Sequence, residues 1–107
     1  MLKMSMIGRL GADAELKEVE KGRFIAMSVV EVTADKDKKG QWVRATMSVR
    51  DTTNISNFLQ YLKKGKEVYL DGIPHVRAYL DKEGKPQSEL CLYVQTIQLI
   101  GRKSDSE

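Results

Sequence analysis

Cysteine, histidine and tryptophan each occur once in this chain, as Cys91, His75 and Trp42, and proline only twice, as Pro74 and Pro86. A lone cysteine excludes an internal disulfide framework. One cysteine and one histidine cannot build a thiolate–imidazole metal cluster within a single chain. A Ser-His-Asp arrangement would have to use His75, which follows Pro74 with no nucleophile signature nearby. Gly8-Arg9-Leu10-Gly11 leads into strand-like sequence, not into a helix, so it is no phosphate loop. Asp35 and Asp37 alternate with Lys36, Lys38 and Lys39, which oppose cation binding. These absences argue against an enzyme, a metal site, a cofactor or a small-molecule substrate.

Long apolar runs are also missing. Nothing approaches the ~20 residues of a membrane-spanning helix. Met1 to Ile7 is interrupted too early for a secretory signal. The expectation is a cytoplasmic protein of one domain, since 107 residues can bury one modest core. The formal net charge of +3 and pI near 9.0 permit nucleic-acid binding without requiring it.

What is present is mostly strand. Leu2 to Leu10 reads as a first strand, continued by Glu15 to Glu20 after a bend at Gly11-Ala12-Asp13. Lys21-Gly22 signals a tight turn, and Arg23 to Ala34 a long second strand. A charged loop from Asp35 to Gly40 leads into the most informative stretch, Gln41 to Arg50. There Val43, Ala45, Met47 and Val49 alternate with Trp42, Arg44, Thr46, Ser48 and Arg50, the pattern of a half-buried strand. Its polar face sets an aromatic plane beside two cations. That pairing suits sequence-tolerant binding of a single nucleic-acid strand, in which bases stack and phosphates are held. The same residues also fit a solvated sheet face whose Trp packs under a loop.

The period then changes. Ile55, Phe58, Leu59 and Leu62 recur at helical spacing, with N-cap candidates Thr52, Thr53 and Asn54, cations Lys63 and Lys64 in the last turn, and Gly65 as terminator. Glu67 to Asp71 is a further strand, after which Pro74 suggests an edge or a bend. Val76 to Leu80 and Ser88 to Tyr93 flank a polar loop as a hairpin, and Leu90 to Ile100 completes a long apolar strand. The expected fold is all-β: a five-stranded Greek-key OB-fold barrel, with one helix between the third and fourth strands and an extended hairpin between the fourth and fifth. The domain is expected over residues 1–102, with 103–107 a frayed end.

The sequence resembles the bacterial single-stranded DNA-binding protein family, in particular the short forms of the Bacteroidetes lineage and of mobile elements. The likeness runs from residue 2 to about 102. It is carried by LKMSMIGRLG from Leu2, DAEL from Asp13, QWV from Gln41, YLKKGKEVYLDG from Tyr61, VRAY with DKEG from Val76, and IQLIG from Ile97. The block from Tyr61 is the most specific. The resemblance implies a protein of replication, recombination or repair, nucleoid-associated, which stacks bases on aromatics and grips phosphates with Lys and Arg. It implies a homo-oligomer, a homotetramer with a dimer as the alternative.

Residue by residue, Trp42 matches the family's stacking Trp of the third strand and Arg44 the basic residue two positions on. Tyr79 matches the hairpin Trp, Arg77 the Arg before it, and Lys3 a first-strand lysine. Lys36, Arg50 and Lys85 complete the expected nucleic-acid contacts. The family's aromatic at the end of the second strand and its third-strand Phe have no counterpart by this alignment, so the surface is expected to carry fewer stacking planes. The acidic, Phe-terminated tail that recruits partners has no counterpart before Glu107 either. Two other readings stay open: an OB-fold protein-interaction module of the primosome-paralogue type with weak nucleic-acid binding, and an RNA-binding protein. Tyr61 and Tyr69 are expected to be structural, Phe24 to pack at a barrel end, Cys91 to be a buried small hydrophobe, and His75 to lie in an exposed loop.

Overall fold

The computed structural model describes residues 1–20, 22–33, 39–49 and 58–101. Six strands follow one another along the chain: β1 (Met4–Leu10), β2 (Glu15–Val19), β3 (Gly22–Glu31), β4 (Trp42–Val49), β5 (Glu67–Leu80) and β6 (Pro86–Ile100). They form a single sheet in the order β1-β5-β6-β4-β3-β2, and a further pairing of β1 with β3 returns the circuit to its start. All neighbours are antiparallel except β4 and β6, which run parallel.

Six strands replace the expected five because the bend after Leu10 ends one ladder and begins another. Before the bend β1 pairs with β5 and, over Gly8 to Leu10, with β3; after it, β2 pairs with β3 alone. The bend is tied down by polar contacts: Gly11 N–H donates to the Ser28 carbonyl, Ala14 N–H to the Leu62 carbonyl, and Lys64 N–H to Asp13 Oδ1 at 2.8 Å. The first strand starts at Met4 and not Leu2, so Lys3 precedes it, and the strand expected to run to Ala34 ends at Glu31.

Of the edge or bend expected at Pro74, the edge is what is found. Pro74 sits inside β5, a strand of 14 residues, in register with Leu92 of β6. The reason lies in the neighbouring strand. β1 accompanies β5 only as far as Gly72, so beyond that point one side of β5 has no strand partner among the described residues and a missing N–H on that side costs no ladder bond. Gly72 itself is demanded by crowding: at the irregularity between Asp71 and Gly72 a Cβ would overlap the Tyr93 carbonyl oxygen.

The core collects one face of each strand. Leu10, Ile25, Val29, Val43, Ala45, Val68, Leu70 and Leu92 are fully or almost fully buried, joined by Leu62 from the segment between β4 and β5. Burying each of the larger side chains contributes roughly 1.5–3 kcal/mol. Of the expected helix, Phe58 and Leu59 have helical backbone and lean on this core; its caps Thr52 to Asn54, and Ile55, lie outside the described residues. Tyr61, expected in that helix, stands in the following turn and is exposed. Gly65 closes the segment at φ +90°, a conformation that favours glycine, and its N–H donates to the Leu10 carbonyl.

Candidate nucleic-acid interface

The alternation read in β4 holds in three dimensions. Val43 and Ala45 are buried, Met47 and Val49 pack against the core, and Trp42, Arg44 and Ser48 are exposed. Because side chains of paired residues share a face, the register extends this outer face across the sheet. Arg44 is level with Ser28 of β3 and Cys91 of β6, and Cys91 with His75 of β5. Thr46 is level with Ala26, Tyr93 and Ile73, and Ser48 with Phe24. One step the other way come Val30, Trp42, and the pair of Glu89 with Arg77; Tyr79 and Gln87 follow further up the hairpin.

Aromatic planes punctuate this surface. Trp42 is 55% exposed and Tyr93 also 55%. The Trp42 indole lies against Gly11. Tyr93 is stacked on His75, with ring centroids 4.5 Å apart and planes inclined by 16°. Phe24, half-buried, lines an open cleft with Thr46, Ser48, Tyr93 and Gln95. On the hairpin arm the Arg77 guanidinium sits 5.3 Å from the Tyr79 ring centre, a cation–π geometry that holds both side chains on one side of the arm.

The charges between these planes are paired. Arg77 Nε lies 2.9 Å and Arg44 Nε 3.5 Å from the same oxygen, Oε1 of Glu89. Cys91 Sγ is 3.9 Å from that oxygen. Burial, and secondly the Glu89 charge, push the Cys91 thiol up from its ordinary value, which keeps it protonated at neutral pH. A carboxyl orders the hairpin tip. Asp81 Oδ1 accepts from the N–H groups of Glu83 and Lys85, and its Oδ2 from Gln87 Nε2, and these bonds hold its pKa below the usual carboxylate range.

Of the residues expected at the site, Trp42, Arg44, Arg77 and Tyr79 share the outer face. Lys85 stands at the hairpin tip, its Nζ 3.5 Å from Glu83. Lys3 enters one residue before the Met4–Gly72 pair, close to Ile73 at the other end of the arm. Lys36 and Arg50 lie outside the described residues. The sequence does not single out Tyr93 or Glu89, and it places Phe24 at a barrel end and His75 in an exposed loop. Tyr93 is hidden there by Leu90-Cys91-Leu92 and Val94, a run apolar on both faces in which the alternation cannot be seen. His75 is not in a loop but in β5, half-buried, and its parity with Arg77 and Tyr79 is legible only if Pro74 is read through. The surface therefore carries more aromatic planes than alignment with the family suggests.

The model of the single-strand binding protein family matches residues 1–100. The chain is similar to single-stranded DNA-binding protein 1 of Xylella fastidiosa, 29% identical over 97% of this chain and 80% of that one. It is 34% identical to the single-stranded DNA-binding protein of Chlamydia caviae over 86% of this chain, and 31% identical to that of Neisseria meningitidis over 97%. It spans 56% and 62% of the length of those two relatives. Among solved structures, the small single-stranded DNA-binding protein of Streptomyces coelicolor superposes with a TM-score of 0.72 at 12% identity, covering 92% of this chain and 94% of that one. The yeast mitochondrial protein Rim1 superposes at 0.66 and 21% identity, with the same coverage. These likenesses establish the fold as that of single-strand binding proteins. This chain belongs to the single-strand binding protein family, a family of binding proteins and not of enzymes.

Proposed function

We propose that the chain binds and protects single-stranded DNA with little sequence preference, in replication, recombination or repair. The observation that carries this reading is the juxtaposition, on one continuous face, of Trp42, Tyr79 and Tyr93 with Arg44 and Arg77. Each base stacked on an aromatic contributes about 1–3 kcal/mol whatever its identity, because every base has a π-face. Lys3 and Lys85 extend the path at its two ends, and Lys36 and Arg50 belong to the same proposal from outside the described residues. The circuit of strand pairings supports the reading of the fold as a closed OB-fold barrel. The nucleoid is the location that this activity implies.

The protein acts as a homo-oligomer, a tetramer by family likeness or else a dimer. Over Met4 to Met6, β1 pairs with β5 on one side, while its pairing with β3 begins only at Gly8. An apolar edge without a partner among the described residues is an aggregation hazard that a second copy would remove. A monomeric mass in sedimentation at micromolar concentration would count against assembly.

Titration of the intrinsic Trp42 fluorescence with oligo-dT at low salt tests the main reading. Saturable quenching is expected; its absence overturns the proposal, since the only tryptophan is the proposed stacker. A second reading, a protein-interaction module, draws on Val76 and Leu80, each 69% exposed on the opposite side of the hairpin arm. Negligible oligo-dT affinity alongside a stable complex with a replication protein would favour it. Competition between oligo-dT and oligo-U separates DNA from RNA preference.

A further inference from the structure

The centre of the proposed DNA path is occupied by an acid. Glu89 is on β6, between β4 and β5, and so stands between Arg44 and Arg77. Strands lie about 4.8 Å apart, so two arginines on the strands flanking β6 are close enough to share one anion between them. The geometry shows that shared anion to be Oε1 of Glu89, at 2.9 Å from Arg77 Nε and 3.5 Å from Arg44 Nε. The carboxylate is only 21% exposed, whereas the arginine side chains are 54% and 59% exposed. Water therefore screens Glu89 poorly, while both guanidinium groups remain within reach of a ligand.

We propose that Glu89 is a built-in competitor of the DNA phosphate, occupying the place on Arg44 and Arg77 that a backbone phosphate takes and thereby limiting affinity. The inference rests on the single-strand-binding reading of this face. A phosphate and a carboxylate present the same acceptor chemistry to a guanidinium. Binding then exchanges one anion for another. Arg44 and Arg77 exchange Glu89 for phosphate, DNA sheds counterions, and Glu89 takes up a cation from solution. Net cation release per arginine is smaller than for an unpaired arginine. The face thus grips single strands loosely and lets them go, as a protein that coats transient strands requires. The opposite role, in which Glu89 orients the arginines for DNA, makes the opposite prediction.

The test is the affinity of the full chain for labelled oligo-dT, by anisotropy, across a salt series, in wild type and Glu89→Gln. The expected result is about five- to tenfold tighter binding at low salt for E89Q, the loss of a doubly paired carboxylate. The slope of log K against log salt should become more negative by no more than about one in total, because the single charge of Glu89 takes up at most one cation when wild type binds. Glu18→Gln makes the same change in net charge on β2, beside Arg23 and outside the face, and should move affinity much less. Glu89→Asp keeps the charge beside Cys91 but withdraws it from the arginines, so it guards against a folding defect in E89Q and should tighten binding by a smaller factor. Adding Arg44→Ala to E89Q should remove part of the gain. Unchanged or weaker binding by folded E89Q and E89D, with wild type binding normally, overturns the inference alone. Failure of wild type to bind oligo-dT removes the reading and the inference together.

Discussion

The six-membered ring of Trp42 rests on Gly11: a Cβ built at residue 11 would lie 2.5 Å from Cη2 and 2.6 Å from Cζ3 of the indole. The two residues are joined through the sheet, because Gly11 N–H donates to the Ser28 carbonyl and the neighbouring Val30 is paired with Trp42. Gly11→Ala should therefore displace the indole and leave the backbone in place. Trp42 emission should shift, oligo-dT affinity should fall several-fold, and the thermal midpoint should stay within a few degrees. An unchanged emission spectrum would show that the ring does not rest there.

The aromatic planes should separate from the other tyrosines. Trp42→Ala and Tyr93→Ala should each weaken single-strand binding by about 1–3 kcal/mol, measured by anisotropy of a labelled oligonucleotide. Tyr79→Ala should cost the same or less, since its arm is an exposed hairpin whose ordering opposes binding. Tyr61→Ala should leave affinity alone; its ring is in an exposed turn beside Lys63 and Lys64, away from the face.

His75 contributes shape and not polarity. Its Nδ1 is buried without a hydrogen-bond partner among the described residues, while its ring supports Tyr93. An unpaired buried polar atom is destabilising, and an apolar replacement of similar shape removes that penalty. His75→Phe should preserve or raise the thermal midpoint and keep affinity. His75→Ala should weaken oligo-dT binding by freeing the Tyr93 ring. A large destabilisation by Phe would refute this account.

The hairpin tip should loosen in acid. Asp81 has its pKa lowered in the folded state, chiefly by the Lys85 N–H bond. A lowered carboxyl contributes order that is complete above its unfolded value, near 3.8, and is lost as pH falls through the folded value. Amide signals of Glu83 and Lys85 should therefore hold steady from pH 7 to about 5 and move below pH 4. Asp81→Asn should show the loosened signals already at neutral pH, with little change in global unfolding.

The core prediction concerns Leu70 and Leu92, both fully buried where β5 and β6 cross the centre of the sheet. Either replaced by alanine should lower stability by about 2–5 kcal/mol in urea unfolding. A loss within 1 kcal/mol would mean that the interior there is not close-packed.

Much was legible in the residues themselves. The face of β4 was readable because a pleat has period two, and so Trp42 and Arg44 declare their shared side to anyone counting from Val43 and Ala45. The turn at Gly65 and the hairpin around Asp81 to Pro86 were readable for the same reason: their signals are local. The six blocks resembling the family pointed to the same fold. What local sequence could not supply was adjacency. Glu89 is 45 residues from Arg44 in the chain and Tyr93 is 47 from Thr46, yet the parallel register of β4 and β6 sets them side by side. Likewise Pro74 suggested an edge or a bend, and which of the two it marks depends on which strand lies beside it. Gly11 looked like a simple bend until the fold laid an indole across it. Side-chain parity is set by neighbouring bonds, but strand order and register are set by how the whole chain closes over its core, and the charge pairing of the binding face follows only from that closure.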